Sequence, residues 1–316
     1  MRIGSVMIDL EGTHLTPKEQ EYLTNPQVGG VIFFTRNYEN RVQLQRLIES
    51  IRALRDPILI AVDQEGGQVQ RFRKDFTLLP ALAELGDVYQ QNPQQALSQA
   101  EYFGHLMALE LLELGLDMSL APVLDLNRNI SAMIGRRSFH NTVAGVVALA
   151  KAYIQGMHTA GMVATGKHFP GHGGVVADSH LTMPVDTRDF SALYQEDMQP
   201  FIQLKDLLWG IMPAHVHYSA IDENPAGFSP FWLQKILRNQ LGFDGVIISD
   251  DLTMGGAKEA GGSYLNRARK ALAAGCDMVI VCNNPAGTHE ILTGLSHELS
   301  PDSERRLLKG RSKKII

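Results

Sequence analysis

Apolar residues along this chain fall into short runs separated by longer stretches in which they recur every three or four positions. The runs at 5–10, 30–34, 58–63, 118–126, 162–169, 210–216, 245–250 and 278–282 read as strands. They are nearly continuous in apolar residues, the pattern of strands covered on both faces. Between them, 41–55 places Val42, Leu44, Leu47, Ile48, Ile51 and Leu54 at helical spacing. Similar spacing recurs at 96–114, 143–159, 191–208, 231–241, 264–274 and 287–299, whereas 11–28 carries only a weak helical signal. Eight strands alternating with helices predict an α/β fold, a single TIM-like (β/α)8 barrel over residues 1–316, irregular near its start. An open doubly wound sheet is the competing topology, because counting strands does not close a barrel.

In such barrels the chemistry sits at the C-terminal ends of the strands. Those ends here carry Asp9, Thr35-Arg36, Asp63, Asp125, Lys167-His168, His215 with His217, Asp250-Asp251 and Asn283-Asn284. Any one polar strand end is ordinary; polar residues at all eight describe a hydrogen-bonding rim suited to a ligand with many hydroxyls. After Asp63 a Gly66-Gly67 turn brings Arg71 back toward the same rim. A phosphate cradle at that turn is disfavoured by Asp63 and Glu65.

Composition narrows the classes. The chain has 316 residues, 44% hydrophobic and 20% charged, with a formal net charge of −5. That fits a globular protein with a large core and gives no reason to expect nucleic acid as a partner. No obligate protein partner is evident either. The N-terminal apolar run stops at Asp9, too short for a signal-peptide core, and no segment reaches the roughly 18 apolar residues of a membrane span. Cys276 and Cys282 flank an expected strand about 20 Å long, so they cannot pair. Two unpaired thiols and no export signal predict a cytoplasmic protein.

The densest chemistry lies at 167–180, where three histidines, Lys167 and Asp178 are interrupted by Pro170 and three glycines. This composition excludes a helix or central strand and makes a loop. Asp250 follows the buried run Val246-Ile247-Ile248-Ser249 and is the candidate nucleophile; alternation sends Asp251 to the other face, where it is placed to cap the next turn. A carboxylate fixed in this way can attack an anomeric carbon and form a glycosyl intermediate. Asp178 and His180, at i and i+2, form a candidate proton-transfer pair, with Asp178 holding the imidazole. Three alternatives stay open on the residues alone. His168, His172, Asp178 and His180 could be metal ligands, although Pro170 and Gly171 remove the helix on which His-x3-His binds best. The rim could also bind sugar without turnover, or the site could use phosphate in place of water.

The motif Lys167-His168-Phe169-Pro170-Gly171-His172-Gly173 with Asp178-Ser179-His180 resembles the signature of family 3 glycoside hydrolases, in the β-N-acetylglucosaminidase branch. Segments 29–37, 63–67, 134–139 and 243–252 agree with it in order. The resemblance runs from about residue 5 to 300. It implies a TIM-like barrel without metal or cofactor. The implied substrate is a GlcNAc-containing saccharide, in particular the N-acetylglucosaminyl-1,6-anhydromuramoyl peptides of cell-wall recycling. Asp250 becomes the nucleophile, His180 the acid/base and Asp178 its partner, while Asp63, Arg71, Arg137, Lys167 and His168 match sugar-binding positions. Gln68 departs from the pattern, where the family often carries a basic residue.

Overall fold

The computed structural model describes residues 2–131, 133–177, 179, 182–258 and 261–312. Eight parallel strands run in chain order: β1 (Val6–Ile8), β2 (Val28–Phe33), β3 (Leu59–Val62), β4 (Met118–Ser119), β5 (Thr165–Phe169), β6 (Gly210–Pro213), β7 (Val246–Asp251) and β8 (Met278–Val281). Each pairs with its sequence neighbour, and β8 returns to β1 through Val6 opposite Val279 and Met7 opposite Ile280. The last seam, between β4 and β5, is thinner. Pro122 has no N–H to give the ladder. Closure there rests on a bridge between Val123 and Lys167, with Thr165 N–H donating to the Ala121 carbonyl at 2.8 Å and Leu124 N–H to the Lys167 carbonyl at 2.7 Å. The sheet is therefore a TIM-like barrel and not an open doubly wound one.

Alternation along the strands divides the core in two. Met7, Ile32, Leu59, Ala61, Val246, Ile248, Met278 and Ile280 pack inside the barrel. Their neighbours Val6, Val31, Ile60, Ile247 and Val279 face outward against the helices. The helix Pro301–Leu308 closes the N-terminal end of the barrel, with Leu307 fully buried and Trp209 Nε1 donating to the Arg306 carbonyl at 2.9 Å.

Several helix boundaries differ from those expected. The weak 11–28 signal resolves into Pro17–Thr24, started by a capping box in which Thr16 accepts the Glu19 N–H and Glu19 accepts the Thr16 N–H at 2.7 Å. The stretch 191–208 is not one helix but Phe190–Gln195 and Gln199–Leu204, the second starting with Pro200 in its first turn. The helix expected at 287–299 is Pro285–Gly294. A helix at Leu82–Gln91 was not anticipated; it buries only Leu82, Leu85 and Gly86 and abuts the next helix at Asn92, so its periodicity is short.

Candidate active site

The phase that fills the barrel also builds its rim. Two residues beyond the inward-facing Ile32, Ala61, Ile248 and Ile280 come Phe34, Asp63, Asp250 and Cys282, all on the wall of one cavity of about 440 Å³. Lys167 and His168 from β5 line the same cavity, and so do Arg71 and Arg137 from loops. The structure thus brings together Asp250, Asp63, Arg71, Arg137, Lys167 and His168. Asp178 and His180 lie outside the described residues, although Ser179 between them reaches the wall.

One wall of the cavity is an ion-pair frame. After β3 a hairpin, Gln64–Gly66 with Val69–Gln70, turns through Gly66 and Gly67 at φ of 107° and 55°, the left-handed region that favours glycine. Buried Gln64 accepts the Arg71 and Phe72 N–H groups at 3.0 Å, and this returns Arg71 to the rim. The Arg71 guanidinium lies 5.5 Å from the Phe34 ring centroid and 3.7 Å from Asp63. Lys167 Nζ sits 2.9 Å from Asp63 and 2.6 Å from Glu65. Arg137 grips both Glu65 oxygens at 2.8 Å, a bidentate pair. Burial opposes ionisation of Glu65, but Arg137 and Lys167 outweigh it and hold the carboxyl far below its usual range. Burial likewise opposes the charges on Arg137 and Lys167, yet their carboxylate neighbours raise both pKa values.

Asp250 is fixed by its own surroundings. Its Oδ1 accepts the Asp251 N–H at 2.8 Å, so one carboxylate oxygen is engaged while the other has no hydrogen bond among the described residues. The Asp250 carbonyl accepts from Ser249 Oγ at 2.8 Å, and His215 Nε2 lies 3.1 Å from the Asp251 carbonyl. Burial raises the Asp250 pKa, but His215, His168, the Asp251 N–H and Lys167 more than offset it, keeping the group a carboxylate. Asp251 also touches the cavity, but it is tied down. Its oxygens accept Thr253 N–H at 3.0 Å, Thr253 Oγ1 at 2.7 Å and the Cys282 thiol at 2.9 Å, the turn-capping role expected for it.

Beneath the wall, fully buried Asp125 accepts from His168 Nδ1 at 2.7 Å and from the His172 N–H at 2.6 Å. It fixes the His168 ring against the cavity and the start of the histidine loop at once. Buried Asp197 packs against Gly171 near the start of that loop, and Arg128 and Arg188 each meet its carboxylate at 2.7 Å, with Asp186 holding Arg188 in turn. Glu65, Asp125 and Asp197 were not singled out from the sequence as binding or positioning residues. Their role is visible only once loops distant in the chain converge. Among the described residues no group of three or more His, Cys, Asp or Glu side chains is arranged to hold a metal ion. Two of the four residues in the metal alternative, Asp178 and His180, are not among those described.

A polar cavity at the C-terminal mouth of a parallel barrel, framed by carboxylates, arginines and a lysine, is a saccharide-type site, and sequence comparison agrees. Residues 5–307 match the model of the glycosyl hydrolase family 3 N-terminal domain. The chain belongs to that family and is a glycoside hydrolase. A β-hexosaminidase of Thioalkalivibrio sulfidiphilus is 52% identical over 99% of this chain and 90% of its own length. A β-hexosaminidase of Shewanella frigidimarina is 54% identical over 91% of this chain and 84% of its own. The crystal structure of NagZ from Neisseria gonorrhoeae in complex with N-trifluoroacetyl-D-glucosamine superposes with a TM-score of 0.94 at 42% identity, covering 99% of this chain and 91% of that one. Among the described residues no helix is long and apolar enough to cross a membrane.

Proposed function

We propose that this chain is a retaining exo-β-N-acetylglucosaminidase that removes non-reducing terminal GlcNAc from peptidoglycan fragments, in particular GlcNAc-1,6-anhydroMurNAc peptides, in the cytoplasm. Residues 1–316 act as one barrel domain. Asp63, Arg71, Arg137, Lys167 and His168 hold the sugar, the carboxylate accepting from hydroxyls and the cations donating to oxygens. The free oxygen of Asp250 attacks the anomeric carbon as His180, held by Asp178, passes its proton to the departing oxygen. A covalent glycosyl–Asp250 species forms. His180 then takes a proton from water, which attacks the same carbon and restores the free carboxylate. The reading needs no metal and no cofactor.

The observation that carries it is the Asp250 carboxylate, half-buried on the cavity wall at the end of β7, kept ionised, with one oxygen tied and the other without a hydrogen bond among the described residues. The substrate class is supported by the β-hexosaminidase names of the relatives and by the N-trifluoroacetyl-D-glucosamine bound to the Neisseria protein. Product analysis by NMR with N-acetylglucosaminyl-anhydromuramoyl peptide tests it. Release of GlcNAc first seen as the β-anomer is expected. First appearance of the α-anomer would reject the covalent route, and failure to cleave this compound alongside turnover of aryl N-acetylglucosaminides would reject the natural substrate.

A further inference from the structure

Ser179 stands between Asp178 and His180 in the chain and is 3% exposed. Its carbonyl meets the segment that follows β7, and its Oγ meets the start of its own loop. Its carbonyl accepts the Gly256 N–H at 2.8 Å, and its Oγ lies 3.0 Å from His172 Nε2. Gly256 sits just past β7, and a Cβ there would stand 3.2 Å from the Ser179 carbonyl oxygen and 3.0 Å from His215 Cβ. The close approach of the two backbones therefore favours glycine. His172 is itself held to Asp125 through its N–H.

The direction of the side-chain bond follows from the ring's other nitrogen. His172 Nδ1 is buried without a hydrogen-bond partner among the described residues. Burial, reinforced by His168, pushes the ring's pKa down to about 4, so it is neutral near pH 7 and carries a single proton. A buried orphan N–H is rarer in proteins than an under-used acceptor. The proton therefore sits on Nε2 and is donated to Ser179 Oγ, which leaves the serine's own hydroxyl proton free to turn toward the cavity.

We propose that Ser179 is a positioning residue for proton transfer: its two anchors, to His172 and to Gly256, fix the backbone from which Asp178 and His180 depart. This rests on the acid/base reading of that pair given above. Gly171, Gly173 and Gly174 precede the segment and leave its backbone many directions unless it is tied elsewhere. Proton transfer demands a donor within hydrogen-bond reach of the leaving oxygen, so a small error in backbone direction is felt in rate.

The test compares Ser179→Ala, His172→Leu and His172→Gln on two N-acetylglucosaminides, one with a dinitrophenol leaving group that departs without protonation and one with an alkyl alcohol that requires it. The first two variants should lose about 10- to 100-fold in kcat/KM on the alkyl glycoside and less than about threefold on the activated one. His172→Gln keeps an N–H donor at similar reach and should recover most of the loss. Equal losses on both substrates, or none on the alkyl glycoside, would overturn the proposal. Should Ser179→Ala fail to fold, as judged by circular dichroism, the His172 pair decides it by the same criterion. His180→Ala separates the two claims. If its loss depends on the leaving group and that of Ser179→Ala does not, the anchoring role fails alone; if its loss is equal on both substrates, the acid/base assignment fails.

Discussion

Replacing Glu65 by Gln probes the frame on which the site is built. Glu65 is 2% exposed and takes Arg137 at 2.8 Å through both oxygens and Lys167 at 2.6 Å. Glutamine has the same shape but no charge, and only one of its terminal atoms accepts. Lys167 keeps Asp63 at 2.9 Å, whereas Arg137 keeps the Met133 carbonyl at 3.1 Å as its hydrogen-bond acceptor among the described residues. One part-buried guanidinium therefore loses the carboxylate paired with it. Removing one side of a buried pair costs about 3–5 kcal/mol, and the surviving Lys167–Asp63 contact favours about 3. At about 2–4 °C per kcal/mol for a large domain, the midpoint of thermal unfolding should fall by about 6–12 °C. Glu65→Gln with Arg137→Gln should cost less than the sum of the singles, because no charge is stranded. The pH dependence has a definite sign. Burial raises the Glu65 pKa, but Arg137 and Lys167 carry it below its ordinary value of 4.5. Its contribution is complete above the unfolded value and is lost as pH falls through the folded one. The melting curves of wild type and Glu65→Gln should stay apart above about pH 5 and converge in strong acid. A fall of less than about 2 °C at neutral pH, or a gap that does not narrow in acid, would refute the reasoning.

The other expectations concern single side chains. Asp250→Asn keeps the fold, since asparagine can still accept the Asp251 N–H, but should lower kcat on aryl N-acetylglucosaminides by about a thousandfold or more; retention of a tenth of the rate would remove Asp250 from the chemistry. Burial pushes the Cys276 and Cys282 thiols well up, with Asp277 and Asp251 respectively adding to it. Iodoacetamide at about pH 8 should therefore label neither in the folded protein and both in urea, read by mass spectrometry. Asp197→Ala strands parts of Arg128 and Arg188, though Glu196 and Asp186 remain to them. A loss of about 2–3 kcal/mol in urea unfolding is expected, and a neutral result would show that the loop base does not depend on this carboxylate.

The barrel was legible because its strands are bare runs of β-branched and apolar residues, and a period of two carries straight on from them to the rim. Counting by twos from Ile248 reaches Asp250, and from Ala61 reaches Asp63. Pro122 cut the fourth strand short, and Pro200 marked a break within 191–208 that the apolar spacing alone ran through. Glu65 read as a group that would repel phosphate, since nothing local announces that Arg137, 72 positions on, will neutralise it. Asp125 was one polar strand end among eight. Its hold on His168 and His172 depends on β4 and β5 meeting at the barrel seam, which is a tertiary fact. Arg71 was placed correctly because a Gly-Gly turn directly after a strand end leaves few other directions for the chain. His180 and Asp178 rest on the motif and on chemistry, as they fall outside the described residues.

The account stands on the carboxylate at the end of β7. Incubation with a 2-fluoro glycoside bearing a good leaving group, followed by proteolysis and tandem mass spectrometry, reads its role directly. The fluorosugar should appear in one peptide, on Asp250, with activity returning as the adduct hydrolyses. A label on Asp63, Asp251 or any other residue, or full inactivation with no covalent sugar, would contradict it.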